Sequence, residues 1–293
     1  MSKVRYRSVW ISDTHLGLKE ARTEFLLDFL KHLECETLYL AGDIIDLWKM
    51  RSGLYWPQIN NEIVRAIMAM ARRGTRVVYV PGNHDEIFRD YVEMFFGGIE
   101  VQQEAIHETA DGRRFLVIHG DEFDCVVMHN KWLAYVGSEA YDVLLWMNRW
   151  FNVARRKLGL RYWSLSAFLK NKVKEAVQYI GNYEEAVVRK AREEGMDGVI
   201  CGHIHHAALT DFDGITYVNC GDWVESCTAV AEDEQGRLRI IHWADESFML
   251  LADPAHDASP RTVSVPRADQ GADQGADQGA DQGPDYRPEV SPG

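Results

Sequence analysis

The sequence predicts an α/β protein: one large domain, followed by a low-complexity tail. Three observations support this fold class. Strand-like and helix-like patterns alternate from residue 4 onward, and the strand-like runs end in turns rich in polar side chains. In addition, 46% of the 293 residues are hydrophobic, which is enough for a sizeable core. Alternating strands and helices are typical of a sheet covered by helices.

The first part of the chain has the order β-α-β-α-β. An apolar run over residues 4–11 is followed by the amphipathic segment "EARTEFLLDFLKHL" at 20–33 and by the strand "TLYLAGD" at 37–43. A helical stretch then runs from Pro57 to Arg73, because Pro favours the first turn of a helix. The strand in "RVVYVPGNHD", at 76–85, completes this unit.

The second part adds further strands on either side of a helical segment. "RRFLVIHGD" lies at 113–121 and "DGVICGH" at 197–203, and short β segments with glycine turns run from Ala207 to Trp243. Between them, residues from about 128 to 195 have no strand-like alternation. We therefore expect a helical insertion there, within an α/β domain that covers residues 1–265.

Charge is distributed unevenly along the chain. The formal net charge is −13, but residues 143–174 contain eight Lys or Arg and no Asp or Glu. Residues 268–283 are four copies of Ala-Asp-Gln-Gly, and the tail at 266–293 has too little apolar surface to fold. We expect this tail to be disordered.

Composition also argues against several classes of protein. The acidic charge disfavours general nucleic-acid binding. No apolar run reaches the roughly 18 residues needed to span a bilayer, and the N-terminus does not resemble a signal peptide. The five cysteines have no C-x-x-C spacing, so buried thiols are expected rather than disulfides or a zinc ribbon. A cytoplasmic protein is the expectation.

Five polar turns follow the predicted strands, and they contain the side chains that could bind a ligand or take part in catalysis. The turns are "ISDTHLG", "LAGDIIDLW", "VPGNHDE", "VIHGDEFD" and "ICGHIHHA". In α/β sheets, ligands gather beyond the carboxyl ends of the strands, so distant turns can form one site. The predicted set is Asp13, His15, Asp43, Asn83, His84, Asp85, His119, His203 and His205.

The residue types indicate a pair of divalent metal ions. Carboxylates, imidazoles and an amide suit Mn, Fe or Zn better than an all-oxygen or a thiolate site would. Two such ions share a bridging carboxylate, clamp a phosphate and lower the pKa of a bound water molecule. We expect Asp43 to be that bridge. The residues of each pair, Asp13 with His15 and His203 with His205, lie two apart, which in extended backbone would point both side chains the same way.

Each motif alone also has an ordinary explanation, since a single D-x-H or H-x-H is usually incidental and Asn-His-Asp often caps a helix. All five together, in this order after apolar strands, are not explained that way. Three further acids fit either as acceptors for imidazole N–H groups or as helix caps and ion-pair partners: Asp46, Asp121 and Asp124. Cys201 is expected to be a packed thiol, and Trp48 to flank the pocket or belong to the core.

These motifs (D-x-H, G-D-x-x-D, G-N-H-D, H-G-D and G-H-x-H, from about residue 8 to 206) resemble the calcineurin-like metallophosphoesterases. The resemblance implies four layers: two packed mixed sheets with helices outside. It also implies that His84 donates to the phosphate or its leaving group, with Asp85 orienting it. The implied ligands of one metal are Asp13, His15, Asp43 and His205, and those of the other are Asp43, Asn83, His119 and His203.

Within that family the arrangement is similar to the UDP-2,3-diacylglucosamine diphosphatases of lipid A biosynthesis. These are metal-dependent hydrolases, typically using Mn, that work peripherally at the inner membrane and release lipid X and UMP. The basic, aromatic insertion would suit a lid over acyl chains at an anionic membrane surface, or it is an ordinary helical core with a solvated basic face. Their third motif reads G-N-R-D, whereas this chain has His84. Two other hypotheses therefore stay open: hydrolysis of another phosphomonoester or phosphodiester, and a non-catalytic scaffold on this fold.

Overall fold

The computed structural model describes residues 3–124 and 165–246, and side chains for 3–124 and 177–246. Most of the predicted helical insertion and the whole of the predicted disordered tail at 266–293 lie outside these residues. The strands within the described stretches are β1 (Val4–Ile11), β2 (Leu33–Ala41), β3 (Arg76–Val80), β4 (Phe95–Phe96), β5 (Ile99–Val101), β6 (Ala105–Glu108), β7 (Arg114–Val117), β8 (Gly198–Cys201), β9 (Ala208–Phe212), β10 (Ile215–Asn219), β11 (Thr228–Glu232) and β12 (Leu238–His242).

Among the described residues, the longer helices lie in segments that the sequence predicts to be helical, whereas the short helix at 47–52 was not predicted. They are α1 (Thr23–His32), α2 (Leu47–Ser52), α3 (Gln58–Arg72) and α4 (Leu165–Glu193), with 3₁₀ turns at Glu86–Tyr91 and Asp121–Phe123. Pro57 stands immediately before α3, as expected. No helix within the two described stretches has both the length and the apolar character needed to cross a bilayer.

Two mixed sheets form the centre of the fold. The larger has the order β12-β11-β1-β2-β3-β5-β4, and the smaller has the order β6-β7-β8-β10-β9. Strands β1, β2, β3 and β5 are parallel, and so are β7, β8 and β10. The carboxyl ends of parallel neighbours lie at one edge of a sheet, so the polar turns after β1, β2 and β3 are placed side by side.

Strand β2 begins four residues earlier than the sequence predicts. The segment before "TLYLAGD" contains Glu34 and Glu36 and does not look like a strand. Leu33, however, is buried and pairs with Val4, so β2 runs beside β1 along its whole length. Parallel pairing and burial of Leu33 therefore outweigh the weak strand propensity of the glutamates.

Buried side chains arrange the sheets and helices in four layers. Trp10 and Tyr39 of the large sheet pack between the sheets with Phe115 and Val117 of the small one. Neighbouring residues of a strand face opposite sides of a sheet, so Val9, next to Trp10, lies on the outer face of the large sheet. Helices α1 and α3 pack on that face. Helix α4 covers the outer face of the small sheet. The expected four-layer fold of two mixed sheets between helices is confirmed.

Candidate metal centre

The predicted ligands lie in sharp turns just beyond the strand ends. Asp13, His15, Asp43, His203 and His205 have φ angles of 51°, 44°, 53°, 72° and 54°. They are five of the eight non-glycine residues with positive φ in the part of the chain that is described. The left-handed region costs such residues about 1 kcal/mol or more each, and such outliers often mark functional sites.

Hydrogen bonds between neighbouring turns hold this backbone in place. Asp13 N donates to Gly42 O at 3.0 Å, and His15 N donates to Asp43 O at 2.9 Å. The turns after β1 and β2 thus run alongside each other. Our reason for expecting Asp13 and His15 to point the same way, extended backbone, is therefore wrong. The two side chains converge because the chain curls tightly after β1.

One group of side chains could hold a metal ion on the more open side of the site: Asp13, His15 and His205. His205 Nε2 lies 3.1 Å from Asp13 Oδ1 and 3.3 Å from His15 Nε2. Asp13 is fully buried, whereas the side chain of His205 is 39% exposed. This group is therefore anchored in the core and reachable from solvent.

A second group lies deeper and consists of Asp43, His119 and His203. His119 Nε2 is 3.4 Å from Asp43 Oδ2, and the rings of His119 and His203 are 5.1 Å apart. The same Asp43 Oδ2 is 3.9 Å from His15 Nε2 of the first group. Its other oxygen accepts from His84 N at 2.8 Å. Asp43 thus has one oxygen facing both groups, as a bridging carboxylate requires.

Unsatisfied polar atoms at the site fit a metal ion. Asp13 Oδ1, Asn83 Oδ1 and His119 Nε2 are buried, and none has a partner in hydrogen-bonding geometry among the described residues. The same is true of His84 Nδ1, which nevertheless lies 3.0 Å from a carboxylate oxygen of Asp46. Buried polar atoms almost always have a partner, so such atoms call for an explanation. The first three belong to predicted ligands, and a cation would satisfy each of them. The donor set fits two divalent ions.

Further contacts fix the imidazole rings. Asp46 Oδ2 lies 3.2 Å from His15 Nδ1, and Asp46 Oδ1 lies 3.0 Å from His84 Nδ1. Asp124 Oδ1 is 2.8 Å from His203 Nε2. A carboxylate on one ring nitrogen sets the tautomer and turns the other nitrogen toward a ligand. Asp46 and Asp124 therefore act as acceptors for imidazoles, and Asp46 also caps α2 by accepting from Lys49 N.

Asp85 and Asp121 have other partners. Asp85 is buried and accepts from Gly82 N, Ile44 N and the Tyr79 hydroxyl. Both of its oxygens are thus used to join the turns after β2 and β3. The contact with the His84 ring that was expected of Asp85 is made by Asp46 instead. Asp121 is the ion-pair partner of Arg89, at 2.7 Å.

Two more expectations concern neighbours of the site. Cys201 is fully buried, and burial raises the pKa of its thiol to about 12, as suits a packed thiol. Trp48 is 44% exposed and stacks on His84 with the ring centroids 4.4 Å apart. Trp48 therefore flanks the site and limits the orientations of the His84 ring.

Charge compensation within the site shifts several pKa values. Burial opposes a charge on His119, but the carboxylates of Asp43 and Asp13 outweigh it and raise the pKa to about 10. Burial also opposes a charge on Asp43, which by itself would raise the pKa of that carboxyl. The neighbouring His119 outweighs burial and lowers the pKa to about 2. Burial and repulsion from His119 lower the pKa of His203 to about 3. Protonated imidazole therefore balances buried carboxylate charge at the site, and bound cations would fill the same role.

Close packing explains the glycine in two of the motifs. A Cβ atom on Gly82 would overlap Asp43 Oδ1 and lie 2.7 Å from the ring of His119. A Cβ atom on Gly202 would overlap Asp13 Oδ2. Both positions let backbone approach the predicted ligands more closely than any side chain allows.

Two supporting residues were not found by sequence reasoning. The Tyr183 hydroxyl donates to Gly202 O at 3.3 Å, and Asn219 Nδ2 donates to the same oxygen at 2.7 Å. They hold the turn that carries His203. Tyr183 lies on α4 and follows no polar strand-end turn, so the sequence contains no signal for its role.

Several known proteins are similar to this chain in sequence or in fold. The family described as calcineurin-like phosphoesterase matches residues 6–207. UDP-2,3-diacylglucosamine hydrolase of Haemophilus influenzae (strain PittGG) is 25% identical, covering 80% of this chain and 98% of that protein. The protein of the same name from Edwardsiella ictaluri (strain 93-146) is also 25% identical, covering 88% and 96%. A solved archaeal phosphodiesterase is 16% identical, with a TM-score of 0.37, covering 80% and 98%.

Proposed function

Because the chain belongs to the calcineurin-like phosphoesterase family, a family of metal-dependent hydrolases, we propose that it hydrolyses UDP-2,3-diacylglucosamine to lipid X and UMP. The observation that carries the reaction type is the paired Asp and His groups around Asp43 Oδ2. The substrate is suggested by relatives that are named for it and that align over almost their whole length. The product would enter lipid A biosynthesis.

We assign two divalent ions to the site, with Mn²⁺ first and Fe²⁺ or Zn²⁺ as alternatives, given the oxygen and imidazole donors. When bound, such ions supply positive charge to the phosphate and lower the pKa of a water molecule. The ligands of one ion are Asp13, His15, Asp43 and His205, and the ligands of the other are Asp43, Asn83, His119 and His203.

His84 is assigned the proton transfer to the leaving oxygen. Its Nδ1 lies 3.0 Å from Asp46, and Trp48 covers one face of the ring. The remaining nitrogen, Nε2, lies 3.9 Å from Asp43 Oδ2, which supports a position for it beside the reacting phosphate. A positioned acid of this kind contributes about 10² to 10⁴-fold to the rate.

A lipid-linked substrate would place the enzyme at a membrane. We propose that it works on the cytoplasmic face of the inner membrane as a peripheral protein. The eight Lys and Arg residues at 143–174, interspersed with Trp and Tyr, support contact with acyl chains and anionic headgroups. They lie in the part of the chain where the insertion was predicted.

A second substrate class is favoured by one residue. His84 stands where the diphosphatases of this family have Arg, and an imidazole can protonate a poor leaving group such as an alkoxide. A phosphomonoester or phosphodiester with an alcohol leaving group would use that proton more than a diphosphate would. This is the alternative that the assay must separate.

The test is hydrolysis by the full-length chain, supplemented with Mn²⁺, of UDP-2,3-diacylglucosamine in detergent micelles, with UMP measured by chromatography. Bis(p-nitrophenyl) phosphate is the comparison substrate. We expect the lipid nucleotide to have the higher kcat/KM; a higher value for the aryl ester would favour the alternative. Asp43→Asn should remove both activities. Asp211 is an exposed residue of β9, and Asp211→Asn should retain them.

A further inference from the structure

A small exposed surface next to the metal centre combines apolar and basic side chains. It consists of α2 and the residues after it: Trp48, Lys49, Arg51, Leu54 and Tyr55. We call it the α2 surface. Leu54 is 77% exposed, Trp48 44% and Tyr55 36%, and no residue of α2 is buried. Contiguous exposed apolar surface often marks a site of interaction.

The inner side of the α2 surface is anchored on the rest of the domain. Asp46 caps the helix through Lys49 N, and Leu47 N donates to His84 O at 3.2 Å. On the other side, the Met50 side chain packs so tightly on Gly17 that a Cβ atom there would lie 2.9 Å away. These contacts fix the position of α2 relative to the predicted ligands. Its exposed side chains are therefore presented from a fixed platform.

The charge of the α2 surface contrasts with that of the chain as a whole. The net charge is −13, yet residues 47–61 contain Lys49 and Arg51 and no acidic residue. A third basic residue, Lys19, lies over the Tyr55 ring at 5.8 Å. In the sequence, the acidic residues that flank these basic positions are Glu20, Glu62 and the buried Asp46. The α2 surface is thus a positive and apolar area on an acidic protein.

A second exposed apolar area differs in charge. Met94 and Phe95, near the edge strand β4, are 47% and 71% exposed. Their neighbours include Asp90, Glu93 and Glu100. An anionic surface would repel this area and attract the α2 surface, so the two areas have different partners. This difference also provides an internal control.

We propose that the α2 surface docks on an anionic lipid bilayer. Trp and Tyr rings with a nearby Leu suit the interfacial layer of a bilayer, and Lys and Arg suit anionic headgroups. Trp48 has one face on His84, so the docked surface borders the reacting groups. Docking there would turn the metal centre toward the lipid. The inference rests on the proposed function in one respect: a lipid substrate gives this orientation a purpose.

The experiment is flotation of the full-length protein with vesicles, without turnover. One set is phosphatidylcholine alone, and the other is equal parts phosphatidylcholine and phosphatidylglycerol. We expect binding to the anionic set only. Each basic residue near such a surface contributes about fivefold, so Arg51→Gln should weaken binding by about that factor. Leu54→Ser should weaken it about tenfold, because an inserted side chain is lost.

Phe95→Ser is the matched control, since Phe95 is similarly exposed but lies in the acidic area. It should bind the anionic vesicles as the wild type does. The proposal is overturned if the wild type ignores anionic vesicles. It is equally overturned if Arg51→Gln and Leu54→Ser bind normally, which would assign the contact to the basic residues at 143–174. Equal losses for Leu54→Ser and Phe95→Ser would also overturn it.

Hydrolysis separates this proposal from the proposed function. Leu54→Ser lies outside the predicted ligands and should hydrolyse bis(p-nitrophenyl) phosphate at the wild-type rate. Vesicle binding by a protein that does not cleave the lipid nucleotide would remove the proposed substrate and leave the docking surface standing. Cleavage in micelles without vesicle binding would do the reverse.

Discussion

Asp46→Asn tests how the second carboxylate of the G-D-x-x-D motif supports the site. Asp46 is buried and touches two imidazoles, with Oδ2 at 3.2 Å from His15 Nδ1 and Oδ1 at 3.0 Å from His84 Nδ1. Asparagine is close in shape and can still cap α2 at Lys49 N. It has only one acceptor oxygen, however, so one of the two imidazoles loses its partner.

The expected effect follows from those two contacts. A hydrogen bond to a charged group is worth about 1.5–3 kcal/mol. Loss of an outer partner of a metal-ligating histidine typically costs 10- to 100-fold in metal affinity, and we expect that range if His15 is affected. If His84 is affected, turnover at saturating metal should fall by about 10²-fold, the lower end for one acid-base group.

The assay measures metal affinity by calorimetry and turnover with bis(p-nitrophenyl) phosphate. Asp211→Asn is the control, because Asp211 is an exposed residue of β9 outside the predicted site. It should change metal affinity by less than about threefold. Wild-type metal affinity together with wild-type turnover in Asp46→Asn would refute the role that the geometry gives to Asp46.

Three further predictions concern other parts of the molecule. His84→Ala should bind metal normally, since His84 is not an assigned ligand, while turnover falls by about 10² to 10⁴-fold; a metal-free variant would contradict its assignment as the proton donor. Gly82→Ala should fold but bind metal weakly, because the added methyl group would overlap the bridging carboxylate, and normal metal affinity would exclude this steric argument. The buried Glu232 has a lowered pKa: burial opposes its charge, but His107 and Arg7 outweigh burial. Its contribution to the free energy of unfolding is therefore present above the ordinary Glu pKa of about 4.3 and is lost as pH falls through the lowered value. Urea unfolding should show Glu232→Gln less stable by about 2 kcal/mol at neutral pH, with a smaller difference at about pH 3; an equal difference at both pH values would refute the linkage.

The convergence of the site was predictable because strand order determines where turns meet. Asp13 and Asp43 follow β1 and β2, which are parallel neighbours, so their turns had to lie together. The conformation of these turns was not predictable. Positive φ at Asp13 and Asp43 is uncommon for Asp, and it is sustained here by hydrogen bonds between turns. Such bonds depend on tertiary structure rather than on local sequence.

The roles of the neighbouring acids were harder to predict. Asp85 is next to His84 in sequence, which made it the natural orienting group, yet its oxygens join two turns of backbone. Asp46 is 38 residues away from His84 in the sequence. It makes the contact because it stands at the start of α2, next to the His84 ring. In a tight turn, successive side chains point in different directions. Adjacency in sequence therefore says little about which carboxylate faces a given ring.

Asp43 is assigned as the carboxylate that joins two metal ions in one site. The most direct measurement is the metal content of the full-length protein, by inductively coupled plasma mass spectrometry, after Mn²⁺ loading and removal of free metal. We expect two equivalents per chain for the wild type and a loss of tightly bound metal, together with hydrolysis, in Asp43→Ala. A single equivalent in the wild type, or full metal and turnover in Asp43→Ala, would contradict the bridged pair.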